Sequence, residues 1–128
     1  MRLLLDTHAL LWWWREEGHL SLRTRKLIAD QGNEILVSAA SAWEIATKLR
    51  LGRLLVTIDL VRDYSDYLSR DGFLDLPVTT EHGLRAGLLP GPHKDPFDRM
   101  LIAQAQMEAI PIVSNEEVFD VYGVQRVW

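Results

Sequence analysis

Short, wholly apolar runs alternate along the chain with longer stretches in which apolar residues recur every three or four positions. The first pattern suits strands covered on both faces and the second amphipathic helices, so the chain reads as an α/β domain with a mostly parallel sheet of four to five strands. Arg2–Leu5 predicts a first strand ending at Asp6, and Thr7 to about Arg15 a helix. Ser21 is placed to N-cap a helix through Asp30, after which Gly32-Asn33 turns into a short strand, Glu34–Ser38. A third helix runs to about Arg50, where Gly52 suits a C-terminal cap. Ile58–Ser69 predicts one helix from the spacing of Leu60, Tyr64, Tyr67 and Leu68. Phe73–Pro77 reads as a strand, Thr79–Leu88 as a short helix and Leu89–Lys94 as a loop. Asp95-Pro96 opens a helix to about Ala109, followed by a strand at Ile110–Ser114, a short helix at Glu116–Val121 and an edge strand at Gln125–Val127.

The 128 residues carry no repeat or linker, and a single domain over 1–128 is expected. With 48% apolar and 25% charged residues, global disorder is excluded. The absence of cysteine removes thiolate nucleophiles, disulfides, iron–sulfur clusters and cysteine zinc sites together. The longest apolar runs, Leu3–Leu5 and Ala9–Trp14, fall far short of the roughly 20 residues of a membrane span. A first strand at Arg2 leaves no space ahead of it for a leader, so a cytoplasmic protein without a membrane partner is expected. The net charge of −4, from 18 acidic and 14 basic residues, argues against gripping nucleic acid by bulk electrostatics. It does not exclude an enzyme for nucleic acid, because carboxylates gathered round a cation lose part of their charge.

In open parallel sheets ligands sit beyond the carboxyl ends of the strands, which makes the polar residues that follow each strand informative. Asp6 follows the first strand, Ser38 and then Glu44 the second, and Ser114, Asn115 and Glu116 the fourth, while Asp95 and Asp98 open the long helix. Carboxylates converging there would repel one another unless a cation held them. Oxygen ligands without cysteine favour magnesium or manganese over zinc, and metal-assisted hydrolysis needs no serine, cysteine or histidine nucleophile. Each acid also has a structural alternative. Asp6 can N-cap the first helix, and Glu44 stands three residues after Ser41, the spacing of a capping box. Asp95 occupies an N-cap slot before Pro96, which leaves Asp98 as the better ligand. Ser114 and Glu117 share capping-box spacing, leaving Glu116 either facing the site or solvated at a helix end.

The opening Leu3-Leu4-Leu5-Asp6-Thr7-His8-Ala9-Leu10-Leu11-Trp12, the block from Ser38 to Gly52 with Glu44 and Lys48, and the run from His93 to Ala105 containing Asp98 together resemble a PIN-domain ribonuclease of the VapC toxin type. The resemblance runs along essentially the whole chain and implies a three-layer α/β/α PIN-like fold. It places the family's metal-binding acids on Asp6, Glu44 and Asp98. The fourth block departs from the family's Thr-x-Asp, reading Ser114-Asn115-Glu116, so the last carboxylate is displaced by one methylene. The implied activity is a magnesium- or manganese-dependent endoribonuclease, the toxin of a type II toxin–antitoxin pair. Asp6 and Asp98 would bind the ion, Glu44 would bind it or position the attacking water, and Glu116 would assist through water. The implied partners are an RNA substrate, a cognate antitoxin and a second copy of the chain.

Lys48, four residues after Glu44, makes either an i,i+4 ion pair or a phosphate contact. Arg99 belongs with Arg50, Arg53, Arg85 and Lys94 to a basic set that forms either a rim for RNA backbone or an ordinary solvated surface. The consecutive Trp12, Trp13 and Trp14 step by about 100° each, so one is expected to be exposed or at an interface unless the helix is covered on most sides. His8, His19, His82 and His93 show no metal-ligand spacing and are read as structural or surface residues. A competing reading is a non-catalytic PIN-like regulatory module that binds RNA or protein. A phospho-acceptor domain using Asp6 would need a lysine after a late strand, where this chain has Ser114-Asn115-Glu116.

Overall fold

A computed structural model describes residues 1–15, 18–54 and 57–128. Its strands are β1 (Arg2–Leu5), β2 (Glu34–Ser38), β3 (Leu74–Leu76), β4 (Ile112–Val113) and β5 (Arg126–Val127). They form one sheet in the order β3-β2-β1-β4-β5. Every neighbouring pair is parallel, with Leu4 opposite both Leu36 and Ile112. The β3, β4 and β5 ladders are shorter than the apolar runs around them, because residues such as Phe73, Ile110 and Val124 bury their side chains beyond the paired backbone.

The helices are α1 (Thr7–Arg15), α2 (Leu22–Ala29), α3 (Ala39–Arg50), α4 (Ile58–Arg62), α5 (Tyr64–Asp71), α6 (Thr80–Leu88) and α7 (Pro96–Glu108), with a 3₁₀ turn over Glu117–Tyr122. Successive strand residues point to opposite faces, and the central strands are apolar at every position. Leu3, Leu5, Ile35 and Val37 join Leu10, Ile28, Ile45 and Leu68 in one core. Leu4, Leu36 and Ile112 join Leu101, Ile102, Ala105 and Phe119 in the other. The result is the three-layer α/β/α arrangement expected from the sequence.

Local signals act as read in most places. Ser21 Oγ accepts the Thr24 N–H at 3.0 Å and caps α2. Gly52 sits at φ 69 just past α3, where the Arg53 N–H returns to Lys48 O. Two differences are informative. The single helix expected over Ile58–Ser69 is broken at Asp63, whose φ −98 and ψ 14 lie outside the helical well, so α5 restarts there with the Tyr67 N–H on Asp63 O. In α6 the capping box is completed by a histidine: the Thr79 N–H donates to His82 Nδ1 while Thr79 Oγ1 accepts the His82 N–H. His82 Nε2 donates to Glu108 Oε1 at 3.2 Å, which ties α6 to α7.

The three consecutive indoles are absorbed within the chain. All are half-buried against the first core. Trp12 meets His8, His19 and Trp128, Trp13 meets Phe73, and Trp14 meets Tyr64 and Tyr67. Trp13 and Trp14 both donate Nε1–H to Asp71 Oδ2. No bare indole cluster is left on α1, so exposure has to be sought elsewhere. No helix among the described residues is long and apolar enough to cross a membrane.

Candidate metal centre

From β1 the chain builds outward to β2 and β3, then returns to add β4 and β5 on the other side. The reversal opens a crevice between the carboxyl ends of β1 and β4, the position where such sheets bind ligands. Asp6 lies there, its N–H on Val113 O at 3.1 Å. One oxygen of its carboxylate accepts the Ala9 N–H at 2.7 Å, so Asp6 also caps α1. Ser114 supplies a second hydrogen bond. Just beyond Ser114, whose Oγ accepts the Glu116 N–H, Glu116 Oε1 accepts a hydrogen bond from His8 Nδ1 at 2.9 Å.

Glu44 reaches the same end of the sheet from α3. The helix starts at Ala39 with Ser38 as its N-cap, so the Ser41 capping box does not form and the carboxylate is free to point inward. Glu44 is buried, with Oε1 accepting from the Thr7 hydroxyl at 2.6 Å and Oε2 from Lys48 Nζ at 2.5 Å. Lys48 thus makes the i,i+4 ion pair, with only about a third of its side chain exposed (30%). Both Glu44 oxygens are engaged within the chain, which suits a carboxylate that acts through an intermediary more than one that binds an ion alone.

Asp98 enters from the first turn of α7. Asp95 caps that helix, accepting the Phe97 and Asp98 N–H groups at 2.8 and 3.3 Å. Asp98 Oδ2 accepts from His93 Nε2 at 2.8 Å. The loop that presents His93 is held from two sides. Tyr122 accepts the His93 N–H at 3.0 Å, and a Cβ on Gly91 (φ 108) would lie 2.7 Å from the Tyr122 ring, so only glycine lets the loop pass there. Arg99 donates to the carbonyls of Ala86, Leu89 and His93. Its guanidinium is therefore turned into backbone, away from the solvent-facing role in RNA contact read from the sequence. Arg99→Ala should lower stability by about 4–5 kcal/mol, the low end for three carbonyls that each lose a bond from a charged donor worth roughly 1.5–3 kcal/mol. Urea unfolding would show this as a lower midpoint at unchanged slope.

Electrostatics ties these acids into one group. Burial pushes the Asp6 carboxyl up to about 7, opposed by the Ser114 and Ala9 hydrogen bonds and the His8 charge and assisted by Glu116. Burial likewise pushes Asp98 up to about 6, opposed by the His93 hydrogen bond and assisted by the charges of Asp95, Glu116 and Glu44. Burial would lower Lys48, but Glu44, with Asp95 and Asp98 behind it, holds it above its ordinary value. Ligand atoms of Asp6, His8 and Glu116 lie within 4.8 Å of one another, as do those of His93, Asp95 and Asp98. Each set offers donors that could hold a metal ion, whose charge would offset the cost of burying these carboxylates.

The structure sets the acids singled out in the sequence within electrostatic reach of one another and adds two histidines that the sequence reading left as structural or surface residues. His8 stands two residues after Asp6 on the first turn of α1, and His93 two residues before the Asp95 cap. Neither spacing is a metal motif; their proximity to residues at strand and helix ends was the available signal.

A family model described as PIN domain matches residues 3–124. The chain belongs to the PIN domain family. Ribonuclease VapC16 of Mycobacterium tuberculosis is 42% identical to it over 59 residues, 46% of this chain and 42% of that protein. The match therefore spans less than half the length of that relative, and it includes the VapC type among this PIN domain's likenesses. Among solved structures, VapBC2 from Rickettsia felis, bound to a DNA fragment from its promoter, superposes with a TM-score of 0.72 at 16% identity, over 99% of this chain and 98% of that one. FitAB bound to the IR36 DNA fragment gives 0.67 at 15% identity, over 98% and 93%. FitAcB from Neisseria gonorrhoeae gives 0.62 at 16%, over 98% and 96%. At these identities the likeness establishes the PIN fold.

Proposed function

We propose that this PIN domain is a divalent-metal-dependent endoribonuclease, the toxin of a type II toxin–antitoxin pair. The observation that carries the reading is the convergence of Asp6, Glu44, Asp98 and Glu116 at the sheet's switch point, with burial raising Asp6 and Asp98. The likeness to a VapC ribonuclease over the matched segment and to VapBC and FitAB assemblies supports it.

Asp6 and Asp98 would hold the ion, magnesium or manganese given oxygen donors and no cysteine. A bound divalent cation supplies Lewis-acid polarisation of a phosphoryl oxygen and lowers the pKa of water. The chain's own part is orientation. Ser114 and the Ala9 N–H fix the Asp6 carboxylate, and His93, held by Arg99 and Tyr122, fixes that of Asp98. Glu44, set by Thr7 and Lys48, would position the attacking water, and Glu116, set by His8, would act through a second one. Water would then add to phosphorus as the bond to the leaving ribose oxygen breaks, the attacking water's proton passing to solvent or a site carboxylate and the leaving oxygen taking a proton from solvent to become a hydroxyl. The proposed partners are RNA, an antitoxin and a second copy of the chain, in the cytoplasm.

Purified protein offered structured RNAs should cleave them with magnesium or manganese and stop with EDTA. Cleavage unaffected by EDTA would exclude the metal mechanism. Binding of RNA without cleavage under any ion would favour the non-catalytic module.

A further inference from the structure

Trp43 precedes Glu44 in α3, and Phe97 precedes Asp98 in α7. Where α3 packs on α7 their rings meet edge to face, with centroids 4.7 Å apart and planes at 70°. Trp43 is nonetheless 61% exposed, and among the described residues it is the only aromatic side chain so open; the other large exposed apolar residues are aliphatic. The remaining indoles are half-buried. An indole held against a neighbouring ring and still largely exposed offers a partner aromatic surface that is already partly ordered.

The stripe continues with polar residues beside the exposed Ala46. Thr47 lies one turn further along α3, and exposed Arg50 two turns further, roughly 10 Å from Trp43 on the same side. A flat base with an anionic backbone finds there an aromatic ring and then a cation on the same side of the helix. We propose that Trp43, braced by Phe97, stacks an unpaired nucleobase of the RNA beside the acidic cluster, with Arg50 meeting the backbone. This rests on the ribonuclease reading above. The consequence is a preference for a single-stranded or splayed nucleotide next to the bond that is cut.

The test uses a fluorescein-labelled pool of mixed-sequence RNA dodecamers, with magnesium present, binding to the full chain carrying Asp98→Asn so that the RNA stays whole. Adding Trp43→Ala should weaken binding roughly 10- to 100-fold, Trp43→Phe should stay within roughly fivefold, and an abasic ribose-phosphate dodecamer should bind all three alike. In the cleavage-competent chain Trp43→Ala should raise KM. Unchanged dodecamer binding by Trp43→Ala overturns the proposal and leaves the ring to a protein partner, and so does equal loss in the Ala and Phe variants, since phenylalanine keeps a stacking face. If the parent chain cleaves no RNA, the ribonuclease reading fails instead, whatever Trp43 does.

Discussion

Asp98→Asn should abolish RNA cleavage, with single-turnover rates in excess magnesium or manganese down about 10³-fold or more. The amide matches the carboxylate in shape but brings no charge to the cation, and about 4 kcal/mol of lost transition-state stabilisation corresponds to that factor. Asp98 is also the acceptor of His93 Nε2 at 2.8 Å, so the substitution weakens the hydrogen bond that orients the ring, while Tyr122 and Arg99 still hold the His93 backbone. Rates within tenfold of the parent would show that the ion is not held here. The folded state should survive, because Asp98 N–H still reaches the Asp95 cap and the neutral amide removes a carboxylate that burial and Asp95, Glu116 and Glu44 disfavour.

Asp6→Asn should also inactivate the enzyme while making the metal-free protein more stable. Burial raises the Asp6 carboxyl from 3.8 to about 7. Between those values the folded state holds a proton that the unfolded chain has released, so stability falls as pH rises from about 4 to about 7. Below that window the contribution is intact; above it the full cost stands, at most about 4 kcal/mol at 1.36 kcal/mol per unit. Asparagine does not titrate and can still accept the Ala9 N–H. In EDTA the variant should therefore melt roughly 10 °C above the parent at pH 8 and close to it at pH 4. Saturating manganese should raise the parent's melting temperature by more than the variant's. A variant that melts below the parent in EDTA at pH 8 would mean that the fold already favours the charged carboxylate. The opposite signs for activity and metal-free stability mark a group kept for function at the expense of the fold.

The sequence by itself determined the β-α order, the parallel sheet and the carboxylates at its ends. Those features are local: apolar runs read as buried strands, Ser21 and Asp95 cap through bonds to the next turn, and Asp6 follows the end of β1, Glu44 stands in the second turn of α3 and Asp98 in the first turn of α7. The tertiary structure alone decided what each side chain finally touches. Lys48 and Arg99 are both basic residues near the acids, yet one is paired to Glu44 and the other is folded onto three carbonyls. His8 and His93 join the acids from 108 and 5 residues away from their partners. Three adjacent tryptophans vanish into aromatic contacts while a fourth, beside Glu44, stays open. Periodicity records which face of an element is covered, but the partner across the gap depends on the packing of elements far apart in the chain, and that is where the charge balance of this site is set.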